Sequence, residues 1–317
     1  TMTAFPIFYA VIENDLRRVL AYSLNNQLGF MVVGVGIGTE MALNGTAAHA
    51  FAHILYKALL FMSMGAVLFR TDTIKGSELG GLYKSMPWST GFCIVGAASI
   101  SAFPLTSGFV SKALIITAAA EEGHWIVWAV LLFASAGVFH HSGIKIPYFA
   151  FFAHDSGKRV KEAPINMLIA MAVASTLCLG IGIFPEYLYA ILPYQVNFIP
   201  YTTAHVITQL QLLMFSALAF TVLMWTRIYP PELRSLNLDT DWIYRRVMPS
   251  IWSKFIAVIS TAYFSIANMA GLRAERAIRT SFDLTGPQSS LARTWEIGSS
   301  ALWVMILLAV CLILYYV

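Results

Sequence analysis

Hydrophobic positions in this chain come in blocks, not in alternation. Apolar runs at about 19–38, 46–69, 88–104, 165–184, 205–226 and 298–317 each approach the length of a membrane-crossing helix, which is roughly 20 residues. Polar connectors separate them, among them "ENDLRR" at 13–18 and "RTDTIKGSELGGLYKSMP" at 70–87. The pattern predicts an all-α fold, a polytopic transmembrane helix bundle. Two regions fit it poorly. Residues 105–152 are too long for one crossing and are interrupted by "EEGH" at 121–124, and the apolar stretch 255–272 is short and runs into "RAERAIR". That second stretch could span or lie in the interface as an amphipathic helix.

Charge resolves the first of these. Arg70, Lys75 and Lys84 lie before the region, and Lys158, Arg159 and Lys161 after it. Both basic loops belong on the cytoplasmic side, which requires an even number of crossings between them. The run at 88–104 supplies one, so 105–152 supplies one more and is expected to be a discontinuous helix broken in or near the membrane. Broken helices persist in lipid only where protein or water satisfies the freed backbone groups, and in transporters they mark ion paths. The connection "PEYLYAILPYQVNFIPYTTAH" has no Lys or Arg and is rich in Tyr and Pro, as expected of the opposite face with its aromatic belt. The organisation expected is a transmembrane bundle over 1–226, a polar and interfacial connecting segment over 227–297, and a C-terminal transmembrane helix over 298–317.

Composition agrees. The chain has 317 residues, 58% hydrophobic and 11% charged, against about 25% charged in a soluble domain. No compact water-soluble core absorbs so much apolar side chain. The net charge of +4 sits in loops, as topology requires, and needs no nucleic acid. Cys93, Cys178 and Cys311 stand alone in apolar runs, which excludes a CxxC redox or zinc motif and suggests no disulfide framework. Neither a metal nor a cofactor is expected. The opening "TMTAFPIFYAVI" reads as the end of a membrane helix, without a cleavable signal pattern. It suggests a split subunit or a piece of a longer chain.

Within the run 46–69, "HAFAHILYKALLF" places His49, His53 and Lys57 four residues apart. Side chains at i and i+4 share a helix face, so the three form one polar ladder. Lys57 is near mid-span, where a Lys costs about 2.5–3.5 kcal/mol on insertion scales. A buried amine shifts toward the range in which it gains and loses a proton, and His titrates near neutrality unaided. Neighbours of similar affinity that one water can bridge are what proton hopping requires. Lys112, in "AFPLTSGFVSKALII", follows a backbone loosened by Pro104, Ser107 and Gly108 and is a second relay candidate. His140, His141 and Lys145, in "VFHHSGIKIPYF", are a third group, an extension of the relay unless Lys145 only approaches the interface. Glu121 and Glu122 read as loop, Glu40 and His205 as interfacial, and Glu13, Asp15, Arg17 and Arg18 as a surface charge cluster.

Three motifs in order resemble one family. "NDLRRVLAYSLNNQLGFM", "HAFAHILYKALLFMSMG" and "FPLTSGFVSK" are similar to segments of the antiporter-like subunits shared by respiratory complex I and Mrp-type cation/proton antiporters. The likeness is firmest over 8–165 and extends loosely to about 226, and "HHSGIKIPYFAFF" looks more like the D-type members among Mrp antiporters. The resemblance implies two inverted five-helix repeats, each with a discontinuous helix, of which this chain holds the second. It implies that Lys57 is the central relay residue, that His49 and His53 connect to it, and that Lys112 leads toward the exit. The family's first repeat carries a Glu–Lys pair with no counterpart here.

These features point to a proton-translocating subunit of a multi-subunit membrane complex, without redox chemistry of its own, in a bacterial inner membrane. Its expected partners are other membrane subunits, one of them supplying the missing repeat unless the chain is a fragment, together with protons, Na⁺ and lipid. A rival reading is a structural membrane subunit with a degenerate relay that scaffolds a transport or redox complex. A third makes the histidines haem ligands. Two His at i and i+4 point the same way and cannot supply opposite axial ligands to one haem, and an absorption spectrum without haem would dispose of it.

Overall fold

The architecture comes from a computed structural model, which describes residues 1–229, 232, 237, 241–287, 289, 292–294 and 296–316. Among these, regular structure is helical, apart from an isolated antiparallel bridge between Asp15 and Lys75. The chain divides into two units, Thr1–Asn237 and Leu238–Val317.

The first unit begins with the short helix α1 (Phe5–Ile12) and continues into α2 (Leu16–Ile37). Asp15 caps α2 by accepting from the N–H groups of Arg17 and Arg18 at 2.9 and 3.1 Å, which satisfies donors a helix start leaves free. At its other end Gly38 takes the left-handed conformation at φ 77°, open to a residue without Cβ. The next helix, α3 (Glu40–Thr71), is the hub of the unit and packs against its neighbours on several sides. Its 32 residues extend about 48 Å at 1.5 Å per residue, well beyond the hydrocarbon thickness.

The discontinuous helix lies earlier than charge patterning suggests. Helix α4 (Pro87–Ile100) and helix α5 (Ser107–Glu121) are each too short to cross a bilayer, and the irregular stretch 101–106 separates them. There Ala102 and Leu105 adopt positive φ of 58° and 69°. Together the two helices make one interrupted crossing. "EEGH" is instead an exposed turn, with Gly123 at φ 71°, that reverses the chain into α6 (Trp125–Phe152). Two crossings therefore separate the basic loops, so the parity is as expected although the break sits elsewhere. Contacts between those loops place them on one face. Lys84 pairs with Asp155 at 2.9 Å, Ser156 donates to the Gly80 carbonyl at 2.9 Å, and Arg70 donates to the Glu162 carbonyl. Hydrogen bonds from Arg159, then Lys84 and the Gly157 N–H, hold the Asp155 carboxyl well below the usual carboxylate range.

Helix α6 contains two π-helical stretches, Phe139–Ile144 and Tyr148–Phe152, a local form often found at functional sites. It is followed by α7 (Ile165–Ile183), the short α8 (Pro185–Tyr189) and α9 (Thr203–Trp225). The second unit holds α10 (Ile243–Thr285) and α11 (Ile297–Tyr316), neither with a buried residue. The apolar stretch 255–272 is thus the middle of one continuous helix of 43 residues. Six helices among the described residues are long and apolar enough to cross a membrane, and the chain is an integral, multi-pass membrane protein.

Candidate functional site

The site forms where α2, α3, α5 and α6 meet. His49, His53 and Lys57 lie on the inner face of α3, as their spacing requires, and all three are buried. Lys57, 4% exposed, donates from Nζ to Ser23 Oγ at 2.9 Å and to the Leu20 carbonyl at 3.3 Å, both on α2. Among the described residues, no carboxylate lies within ion-pair distance of Lys57 or Lys112. An amine held only by neutral oxygens in a low-dielectric interior is not locked in its charged form.

His49 Nδ1 is 3.2 Å from Ser111 Oγ on α5, and that hydroxyl donates to the Ser107 carbonyl at 3.0 Å. Its Nε2 lies 3.4 Å from the Tyr56 hydroxyl, which donates to Gln27 Oε1 at 3.0 Å. A neutral His49 has one N–H, which serves Ser111 from Nδ1 or Tyr56 from Nε2 but not both. Tyr56 thus sets His49 beside α2. The His49 and His53 rings stack with centroids 6.3 Å apart, and His53 Nε2 is buried with no hydrogen-bond partner among the described residues.

Lys112 shows why the helix is broken before it. Its Nζ, almost wholly buried, donates to the Ile100 carbonyl at 3.0 Å and sits 5.2 Å from the centre of the Phe30 ring. Ile100 ends α4, where carbonyls lack intrahelical donors and attract a cation. The next carbonyl, of Ser101, accepts from Gln209 Nε2 of α9 at 3.2 Å. Side chains thus satisfy the backbone freed by the break. The close approach depends on Gly108, where a Cβ would stand 1.8 Å from the Ser99 carbonyl oxygen. A cavity of about 400 Å³ reaches Lys112 past Phe109, Thr202, His205, Thr208 and Gln209. His205, although near a helix start, is part of its wall and stacks on Phe109 at 4.7 Å.

The third group divides. His141 is fully buried, with Nδ1 2.9 Å from Ser142 Oγ and Nε2 unpartnered among the described residues. It is within electrostatic reach of Lys57, His140, Lys145 and Lys112. His140, one residue earlier, instead packs against Phe220 and Tyr229, with centroids at 5.0 and 5.4 Å. Lys145 is fully buried and ion-paired to Glu232 at 2.8 Å. It does not reach toward water at the interface. Glu13 departs from the surface cluster expected for it: it is 3% exposed, whereas Arg17 and Arg18 are on the surface. Glu121, Glu122 and Glu40 are exposed at helix ends, as expected.

The residues that sequence reading did not single out are Ser23, Gln27, Tyr56, Ser111, Gln209 and Glu232. Ser23 and Gln27 carry the one available signal, polar side chains four apart and so on one face of α2.

The chain is similar to several known proteins. Residues 4–140 match a family described as "NADH:quinone oxidoreductase/Mrp antiporter, TM". Over 191 residues the chain is 33% identical to the D subunit of the Na(+)/H(+) antiporter of Alkalihalophilus pseudofirmus, covering 59% of this chain and 38% of that protein. It is 30% identical to the N subunit of the NADH-quinone oxidoreductase of Desulforudis audaxviator, covering 57% of this chain and 39% of that protein. The chain thus spans well under half the length of these relatives. A chain of the Mrp complex from Dietzia sp. DQ12-45-1b shares the fold, with a TM-score of 0.60 at 22% identity, over 98% of this chain and 32% of that one.

Proposed function

We propose that this chain, which through residues 4–140 belongs to the antiporter-like transmembrane family shared by NADH:quinone oxidoreductase and Mrp antiporters, conducts protons within a multi-subunit membrane complex. The route is a hydrated file through Lys112, His49, His53, Lys57 and His141. What supports it above all is Lys57: an amine 4% exposed, bonded to a hydroxyl and a carbonyl, with no carboxylate among the described residues to fix its charge. Charge at Lys112 acts on both α3 histidines and on Lys57, and charge at Lys57 acts on His53. A proton on one of these sites repels a proton on its neighbour, so charge passes along the file one proton at a time.

On this reading the cavity beside Lys112 is the mouth on the face opposite the basic loops. The companion half of the relay, with its Glu–Lys pair, comes from a further stretch of polypeptide or a neighbouring subunit. Residues 227–297 dock against other membrane subunits, and the complex resides in a bacterial inner membrane, exchanging protons with a cation such as Na⁺.

The test is proton-coupled transport by the assembled complex in liposomes. Lys57→Ala is expected to lower it about 100-fold or more while the complex still assembles. Lys57→Arg should fail equally, because a guanidinium keeps the charge but does not release its proton. Transport at the normal rate in either variant would favour the scaffold reading instead.

A further inference from the structure

Two carboxylates with buried side chains lie outside the file just described among the described residues, Glu13 and Glu232. Glu232, its side chain 6% exposed, follows α9 and places Oε1 2.8 Å from Lys145 Nζ. The same Nζ donates to the carbonyls of Val11 at 2.6 Å, Glu13 at 2.7 Å and Ala10 at 3.3 Å, which are free because α1 ends there. Glu232 also lies against Gly76, in the first basic loop. The cluster is therefore at the basic-loop face, the end of the unit away from the Lys112 cavity. Lys145 is one helical turn from His141, across a π-helical stretch, and His141 Nε2 is buried and unpartnered.

Other charged and titratable groups complete the surroundings. The Glu13 side chain accepts from the Asp15 N–H at 3.1 Å and the Asn237 amide at 3.4 Å, and meets Arg18 at 3.7 Å. The Tyr229 hydroxyl is buried without a partner among the described residues and lies within electrostatic reach of Glu232.

Resting on the relay reading, we propose that Glu232 is the proton port of the file on the basic-loop face, exchanging protons with water and passing them through Lys145 to His141. A proton from water first forms an O–H bond on the Glu232 carboxylate. The Lys145 ammonium, its counter-ion neutralised, gives an N–H proton to His141 Nε2. The carboxylic acid then returns its proton to the neutral amine, which restores the ion pair. One proton has moved from water to His141, and no charge or bond is left unbalanced. The reverse order releases a proton. Burial pushes the Glu232 carboxyl above its ordinary value, the Lys145 ammonium pulls it back, and Glu13 pushes it up again. Such opposed influences bring a carboxyl nearer working pH.

The experiment compares proton-coupled flux against pH for the liposome-reconstituted complex, its Glu232→Gln and Glu232→Asp variants, and Lys57→Ala. Glu232→Gln is expected to reduce flux about tenfold or more and to remove one limb of the pH profile. Glu232→Asp should recover most of the flux with that limb displaced. Normal flux and profile in Glu232→Gln, with Lys57→Ala inactive, would overturn the port and leave the relay standing. Flux surviving Lys57→Ala would instead overturn the relay beneath it. A fall in flux with an unmoved profile would make Glu232 purely structural and also overturn the port. Should Glu232→Gln not assemble, Glu232→Asp decides: a displaced limb upholds the port, and a fixed limb overturns it.

Discussion

Tyr56 shows how much of the relay depends on neutral groups. Its hydroxyl stands between Gln27 Oε1 at 3.0 Å and His49 Nε2 at 3.4 Å, so it orients the imidazole without carrying charge. Tyr56→Phe removes that tie and leaves a buried amide oxygen unsatisfied, at a cost of about 1–3 kcal/mol. The expected outcome is slower proton flux with the complex still assembled, read from the same liposome assay; an unchanged flux would take Tyr56 out of the relay. The charged members were legible in sequence because His49, His53 and Lys57 repeat every fourth residue against an apolar background. Glu232 was not. It belongs to a polar connector, where a carboxylate attracts no notice, and its burial arises from a fold that returns residue 232 to residues 13 and 145.

At the level of elements, the break between α4 and α5 is the feature that makes a lysine tolerable at depth. The carbonyls of Ile100 and Ser101 would be orphaned without Lys112 and Gln209, and Lys112 would lack a partner without the break. Gly108→Ala would drive a methyl group into the Ser99 carbonyl, an overpacking cost of about 1–3 kcal/mol or more. The variant complex is expected to unfold at lower temperature in a thermal scan, and an unchanged midpoint would show that the break does not depend on this contact. Position was misjudged in sequence for a physical reason. "EEGH" is polar because it meets water, whereas a break within the bilayer has to stay apolar and hide its backbone polarity. Only Pro104, Ser107 and Gly108 betray it. The number of crossings was readable all the same, because the loop lysines and arginines are sorted by side.

Across the first unit, the basic loops share one face through the Lys84–Asp155 and Arg70–Glu162 contacts, while the turn at Glu122 and the Lys112 cavity belong to the other. Cysteines introduced as Lys158→Cys and Glu122→Cys are expected to react with an impermeant thiol reagent from opposite sides of the membrane, and labelling from the same side would refute the two-crossing topology. Between these faces run the buried amines and imidazoles, and conduction requires that water join them. His53 Nε2 and His141 Nε2, both buried and unpartnered, are where that water must bind. A cryo-EM map of the assembled complex, at a resolution that shows ordered solvent, is therefore the most direct measurement. Waters bridging His53 Nε2 to Lys57, and His141 Nε2 toward Lys145, are the predicted result; a dry, side-chain-filled gap at both nitrogens would contradict proton conduction by this chain.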